Sequence, residues 1–404
     1  MRGTPGFVGA RLREAREARS LTAVALAELV GITPQAVSKY EHDSMSPNAS
    51  TLQALADAVD LPLSYFVLPV RVAPEGTVFF RSMSAATKQS RTRALRMMDW
   101  LQSLTSYLEE FVAFPEANLP RLLLPDDPLL ISDDDIENAA EETRRYWSMG
   151  DSPIGNVVRL LENQGVVVGR QRLGAESLDG LSYWAVDRGR PFAIVGTDKG
   201  SAVRWRFDLA HELGHLLLHA HVSQRTLSRS ENFKLIESQA HRFAAAFLLP
   251  MEPFCEDLFA TSLDAMRAMK PKWKTSIALM IKRASQANLL TEESERRLWI
   301  GLNRRRWRRE EPYDGKWPPE EPRLLQRAIQ MILESRTQTG DDIRVGVHLP
   351  AADIERLAGL APGYLSSDFS LVHIRTSEGP ASDMDANDAP PAEVIQFPLH
   401  RRRD

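Results

Sequence analysis

Residues 207–219 read Phe-Asp-Leu-Ala-His-Glu-Leu-Gly-His-Leu-Leu-Leu-His, and within them His211, Glu212 and His215 could do chemistry together. Two histidines four residues apart on a helix stand one turn apart on one face, with Cβ atoms about 6 Å apart. Both imidazoles then reach one divalent ion. The glutamate between them projects beside that ion, where it can take the proton of a water that the ion polarises. This is the H-E-x-x-H spacing of zinc proteases. The bland alternative is a pair of satisfied core histidines. Context favours the metal: Leu209, Leu213, Leu216 and Leu217 fall at helical spacing, and a strand-like run from Pro191 to Gly196 precedes them.

A catalytic zinc needs a third protein ligand and an open position. Downstream, Ala240, Phe243, Ala244 and Phe247 mark a second helix with a small-residue face that can pack closely on the first. Glu237 lies on the flank of that face and is the expected third ligand; Glu231 is a weaker rival. Two neutral histidines and one carboxylate leave Zn²⁺ net positive, which acidifies water. His241, one turn after Glu237, is placed to orient its carboxylate, as metal ligands usually require. His219 continues the histidine row past the metal, so a supporting, packing or surface role is expected. Tyr183 and His241 are candidate oxyanion donors. A strand over Tyr183–Val186 offers an edge for an extended substrate backbone.

These two motifs, ending in Leu248-Leu249-Pro250, resemble the ImmA/IrrE family of metallopeptidases. The family pattern is a helix with H-E-x-G-H followed by a helix with E-x-x-A-x-x-F-A. His241 departs from it, because the family usually carries Asn or Asp there. The resemblance implies a gluzincin-like domain whose better-known members cut DNA-binding repressors at a single site.

The N-terminus carries a second theme. Thr22 can cap a helix from Ala23 to Val30, Gly31 can end it in a left-handed turn, and Pro34 opens another helix to His42. Helix, tight turn and helix is the helix-turn-helix arrangement. Residues 8–66 resemble the XRE (phage repressor and Cro-like) family through Arg11-Leu12-Arg13, Ala27 to Ile32, Val37 to Glu41 and Ser46-Pro47. By that resemblance this is a five-helix lambda-repressor-like domain in which Gln35, Ser38 and Lys39 face the major groove of double-stranded DNA. Ala23 stands where the family often has a phosphate-anchoring Gln. Residues 1–68 hold six Lys or Arg against seven Asp or Glu, so phosphate neutralisation by this module alone is weak. Arg81, Lys88, Arg91, Arg93 and Arg96 could supply more charge, and a homodimer would double the contacts.

The chain has 404 residues, a net charge of −4 and one cysteine, Cys255, so an internal disulfide framework is excluded. No signal peptide or apolar run of membrane-spanning length is visible, and a cytoplasmic location is expected. The expected fold class is mainly α with a small β-sheet (α+β). The expected divisions are 1–70, the DNA-reading domain; 71–125, a linker with a long basic, amphipathic helix; and 126–262, the zinc peptidase domain. A helical bundle over 263–315 would complete the peptidase region. Residues 316–375 would form a small mixed domain with a helix from Leu324 to Glu334 and a strand from Arg344 to His348. A disordered tail is expected over 376–404. Arg304 to Arg309, five arginines around Trp307, could grip nucleic acid.

Two functions follow. The first is a DNA-binding regulator fused to a zinc endopeptidase that cuts a repressor, a partner or itself. The second is a transcription factor whose zinc domain is only structural or signal-sensing. Glu212 favours the first, since a structural site needs no base beside the metal.

Overall fold

The computed structural model describes residues 3–70, 79–80, 87–173, 179–197 and 201–366. The expected tail and residues 71–78 and 81–86 of the expected linker, Arg81 among them, lie outside these residues. Helices α1 (Gly9–Ala18), α2 (Ala23–Val30), α3 (Pro34–Glu41) and α4 (Ala49–Ala58) open the chain. A 3-10 turn over Leu63–Val67 stands where a fifth helix was expected. Strand β1 (Phe79–Phe80) and the long helix α5 (Lys88–Leu108) follow, then α6 (Asp133–Tyr146) and α7 (Val157–Asn163). Strands β2 (Val167–Gln171), β3 (Gly180–Ala185) and β4 (Arg190–Gly196) lead into α8 (Ala202–Leu218), α9 (Gln224–Leu227) and α10 (Ser230–Leu248). Seven further helices end the described chain: α11 (Met251–Asp257), α12 (Leu263–Trp273), α13 (Ile277–Gln286), α14 (Glu292–Arg304), α15 (Leu324–Glu334), α16 (Gly340–Val347) and α17 (Ala351–Ala358).

The strands form one sheet in the order β1-β3-β4-β2, with β3 and β4 antiparallel and β2 and β4 parallel. Alternation along each strand assigns two faces. Val167, Leu181, Tyr183, Phe192 and Ile194 pack on α5, with Met97, Leu101 and Leu104. Val168, Ala193 and Val195 pack on the other side with Leu209, Leu213 and Leu216 of α8 and Phe243 and Phe247 of α10. The sheet is therefore buried on both faces, as its nearly continuous apolar strands require.

Three local expectations change. Arg344 to His348 is not a strand. Thr339 and Asp342 form a capping box, each side chain accepting the other residue's backbone N–H, and that starts α16 instead. Residues 324–365 are helical and share one buried core with α5 and the N-terminal helices, so they are not a mixed α/β unit. Arg96 does not extend a DNA surface: its guanidinium contacts Glu17 at 3.1 Å and Asp99 at 2.7 Å, bracing α5 against α1.

Arg19, at the end of α1, ties the first helices to the last. Its guanidinium forks onto Asp353 of α17 at 2.6 and 3.0 Å, donates to the carbonyls of Val59 and Asp60, and lies over the Trp100 ring. Asp353 is buried, and its other charged partner is Arg356. Arg19→Ala should cost about 3 kcal/mol, because it takes the fork from a buried carboxylate and leaves it Arg356 alone, along with the loss of the contacts to Val59, Asp60 and Trp100. Arg19→Lys should recover little, since an ammonium cannot fork. Chemical denaturation checks both; a loss below about 0.5 kcal/mol for the alanine variant, typical of an exposed pair, contradicts this reading.

Candidate metal centre and DNA-reading helix

The metal-site helices α8 and α10 meet at Gly214. A Cβ there would stand 3.1 Å from Phe243 Cδ1 and 3.3 Å from both the Cα and the carbonyl oxygen of Ala240. The missing side chain at Gly214 and the small one at Ala240 let the two backbones approach. This brings Glu237 of α10 beside the histidines of α8. Nε2 of His211 and Nε2 of His215 are 3.0 Å apart, with Glu237 Oε1 3.1 Å from His215 and Oε2 3.6 Å from His211.

A supporting chain fixes the state of His215. The Gln239 amide donates to the carbonyls of Pro128 and Ile131, so its oxygen faces His219 Nε2 at 3.0 Å. That oxygen can only accept, which places a proton on His219 Nε2. Burial, with His215 alongside, pushes the His219 pKa down to about 3, so its ring is neutral and Nδ1 is an acceptor. His215 Nδ1, 3.0 Å away, must donate to it. His215 is then left with a lone pair on Nε2, pointing at His211 and Glu237. A lone pair and a carboxylate this close offer a divalent cation two ligands.

The spacing suits zinc. Ligand atoms about 2.1 Å from a tetrahedral zinc stand roughly 3.3 Å from one another. The contacts of 3.0, 3.1 and 3.6 Å bracket that value. Among the described residues, His211, His215 and Glu237 form a three-ligand set. Glu231 is exposed and is not part of it. His241 packs edge-on against the His211 ring, 4.7 Å between centroids, and beside Phe207. Among the described residues it does not join the three-residue set. His219 is fully buried and acts through His215, and Gln239 behind it had no signal in the sequence beyond its place one turn from Phe243.

Glu212 is fully buried and lies against the start of β3, where a Cβ on Gly180 would come within 3.0 Å of its Oε1. Tyr183 is not an oxyanion donor: it points to the α5 side of the sheet and is buried in that core. Phe79 stacks on His215 with ring centroids 4.8 Å apart and planes within 9°.

In the N-terminal helices, Thr22 and Thr33 accept from the backbone N–H groups of Ala25 and Ala36, and Gly31 turns left-handed at φ 72° between α2 and α3. Gln35, Ser38 and Lys39 project from α3 into solvent on one exposed face. Behind them the Arg16 guanidinium forks onto Glu41 at 2.5 and 2.9 Å, fixing α3 on α1.

A methyl group on a helical glycine normally stabilises by roughly 1 kcal/mol. Gly214→Ala should instead destabilise by about 1 kcal/mol, because the helices must part against backbone atoms. It should also weaken zinc binding at least tenfold. A stabilised variant with unchanged zinc affinity, in denaturation and competition titrations, contradicts the close contact.

Comparison with known proteins follows the same division. Residues 12–66 match the family model described as Helix-turn-helix, and residues 161–285 match the peptidase family model described as IrrE N-terminal-like domain. One curated relative, the uncharacterized HTH-type transcriptional regulator y4aM of Sinorhizobium fredii (strain NBRC 101917 / NGR234), is 40% identical over 60 residues. That match covers 15% of this chain and 42% of the relative. No described helix is long and apolar enough to cross a membrane. The chain thus carries, in order, a segment similar to helix-turn-helix proteins and a segment similar to the IrrE N-terminal-like peptidase domain.

Proposed function

We propose that the chain is a DNA-binding regulator whose ImmA/IrrE-type domain is a zinc-dependent endopeptidase, cutting a DNA-binding repressor, a partner or the chain itself. The observation that carries this is the convergence of His211 Nε2, His215 Nε2 and the Glu237 carboxylate, with Glu212 buried beside them. Zinc held by those three residues would supply the Lewis acidity that polarises a peptide carbonyl and makes water nucleophilic near neutral pH. Glu212, set against Gly180, takes the proton from the attacking water and returns it to the departing amine nitrogen. Gln239 and His219 hold His215 in the tautomer that presents Nε2. In the N-terminal helices, Gln35, Ser38 and Lys39 enter the major groove, and a homodimer supplies the phosphate contacts that the near-neutral module lacks.

One observation favours the second reading, a zinc domain that only senses or stabilises. His211, Glu212 and His215 have no exposed surface, so a substrate has no open route to them. Glu212→Gln separates the two readings, since it should keep zinc and lose the base. Both proteins are counted for zinc and incubated alone and with DNA-binding regulators, and fragments are read by intact mass. Discrete fragments from the parent, with at least a hundredfold less from Glu212→Gln, are expected. Stoichiometric zinc in both with no cutting by either would leave the sensing reading.

A further inference from the structure

The closed site has an identifiable cover. Strand β1 pairs antiparallel with β3, Phe79 opposite Ser182 and Phe80 opposite Leu181. This is the β3 edge next to Gly180, against which Glu212 rests. The Phe79 side chain is only 4% exposed. Its ring lies flat on His215 and 6.0 Å from His219, and it fills a pocket made by Val222, Leu227 and Ile236, with Leu129 and Phe233 at the rim. The Phe79 ring and the His215 imidazole therefore share a single stack, with His219 tilted beside it.

An extended peptide docks most readily by adding a strand to an exposed sheet edge, with alternate side chains entering pockets. The sheet edge nearest Glu212 belongs to β3, and β1 already occupies it. The geometry of β1 is that of a bound substrate segment: backbone in register with β3, one large side chain in a pocket, and a position beside the base. Its place in the chain matters, because β1 lies between the DNA-reading helices and α5, which itself packs on α1 through Arg96.

We infer that β1 is a built-in stand-in for the substrate, and that the groove it fills takes an extended polypeptide segment with an aromatic or large apolar side chain in the Phe79 pocket. This rests on the peptidase reading. It explains how a site whose two histidine ligands and Glu212 are fully buried is nonetheless built for a peptide: the route opens when β1 leaves the β3 edge.

The test uses the full chain, zinc-loaded, in a Glu212→Gln background, with a fluorescent peptide copying residues 76–83 (Gly-Thr-Val-Phe-Phe-Arg-Ser-Met) as probe. Phe79→Ala should bind the peptide at least tenfold more tightly than the chain that keeps Phe79. A peptide with alanine for its first phenylalanine should not bind. A chelator should remove zinc from Phe79→Ala at least tenfold faster. Should Phe79→Ala fail to unfold cooperatively, Phe79→Leu, which keeps apolar bulk without the ring stack, supplies both readouts with smaller changes of the same sign. Equal peptide binding and equal zinc loss with and without Phe79 overturn the inference. So does self-cutting at residues 78–82 by the chain that keeps Glu212, since β1 would then be a substrate. Neither binding nor chelation needs turnover, so peptide binding without any cleavage by the Glu212 protein would retire the peptidase reading and leave a peptide-binding groove.

Discussion

The structure depends on the close contact of α8 and α10 at Gly214 and Ala240. Metal ligands drawn from two helices must meet within a few tenths of an ångström, and only helices this near allow it. Much of the surrounding chain serves to hold that contact. Arg144 of α6 donates to the carbonyls of Phe247, Gly150 and Ser152, fastening the end of α10. Arg283 of α13 donates to Leu249 and forks onto Glu137, fastening the same end from the other side. Phe243 and Phe247 stack within the contact and fill the space behind it. On the sheet side, β3 and β4 support α8, and Gly180 leaves room for the Glu212 carboxylate.

The second principle is that cations in the interior are matched. Lys270 has no exposed surface and contacts Glu311 and Asp314, both at 2.6 Å. Arg206 of α8 pairs with Glu320, whose carboxylate also accepts from the first backbone N–H groups of α7. Buried Glu162 caps α15 in the same way, accepting from Arg323 and Leu324, while burial pushes its pKa up to about 7. Such pairs contribute less to net stability than to uniqueness of arrangement. Here they tie α7, α8 and α15 into one body, and Arg19 with Asp353 extends that body to the DNA-reading helices.

Much of this was legible in the sequence. Helical spacing alone puts His211 and His215 on one face, and the structure brings Glu237 from the next helix beside them. The caps at Thr22 and Gly31 follow from short-range chemistry and stand where the residues suggest. What escaped were contacts between distant segments. Nothing in the run around Phe79 announces that it pairs with residues a hundred positions later, and Gln239 looked like an ordinary helical residue. Tyr183 was misjudged because a strand's two faces cannot be told apart until the sheet's neighbours are known. The segment Arg344–His348 alternates like a strand, but the Thr339–Asp342 box begins a helix that β-branched residues then tolerate.

The central claim is that His211, His215 and Glu237 share one zinc ion. X-ray absorption of the zinc-loaded full chain tests it most directly. The account predicts one zinc per chain, with two imidazole nitrogens at about 2.0 Å and two or three oxygens at about 2.1 Å, and a falling oxygen contribution in Glu237→Gln. A spectrum unchanged by Glu237→Gln, or a chain that binds no zinc, would contradict it.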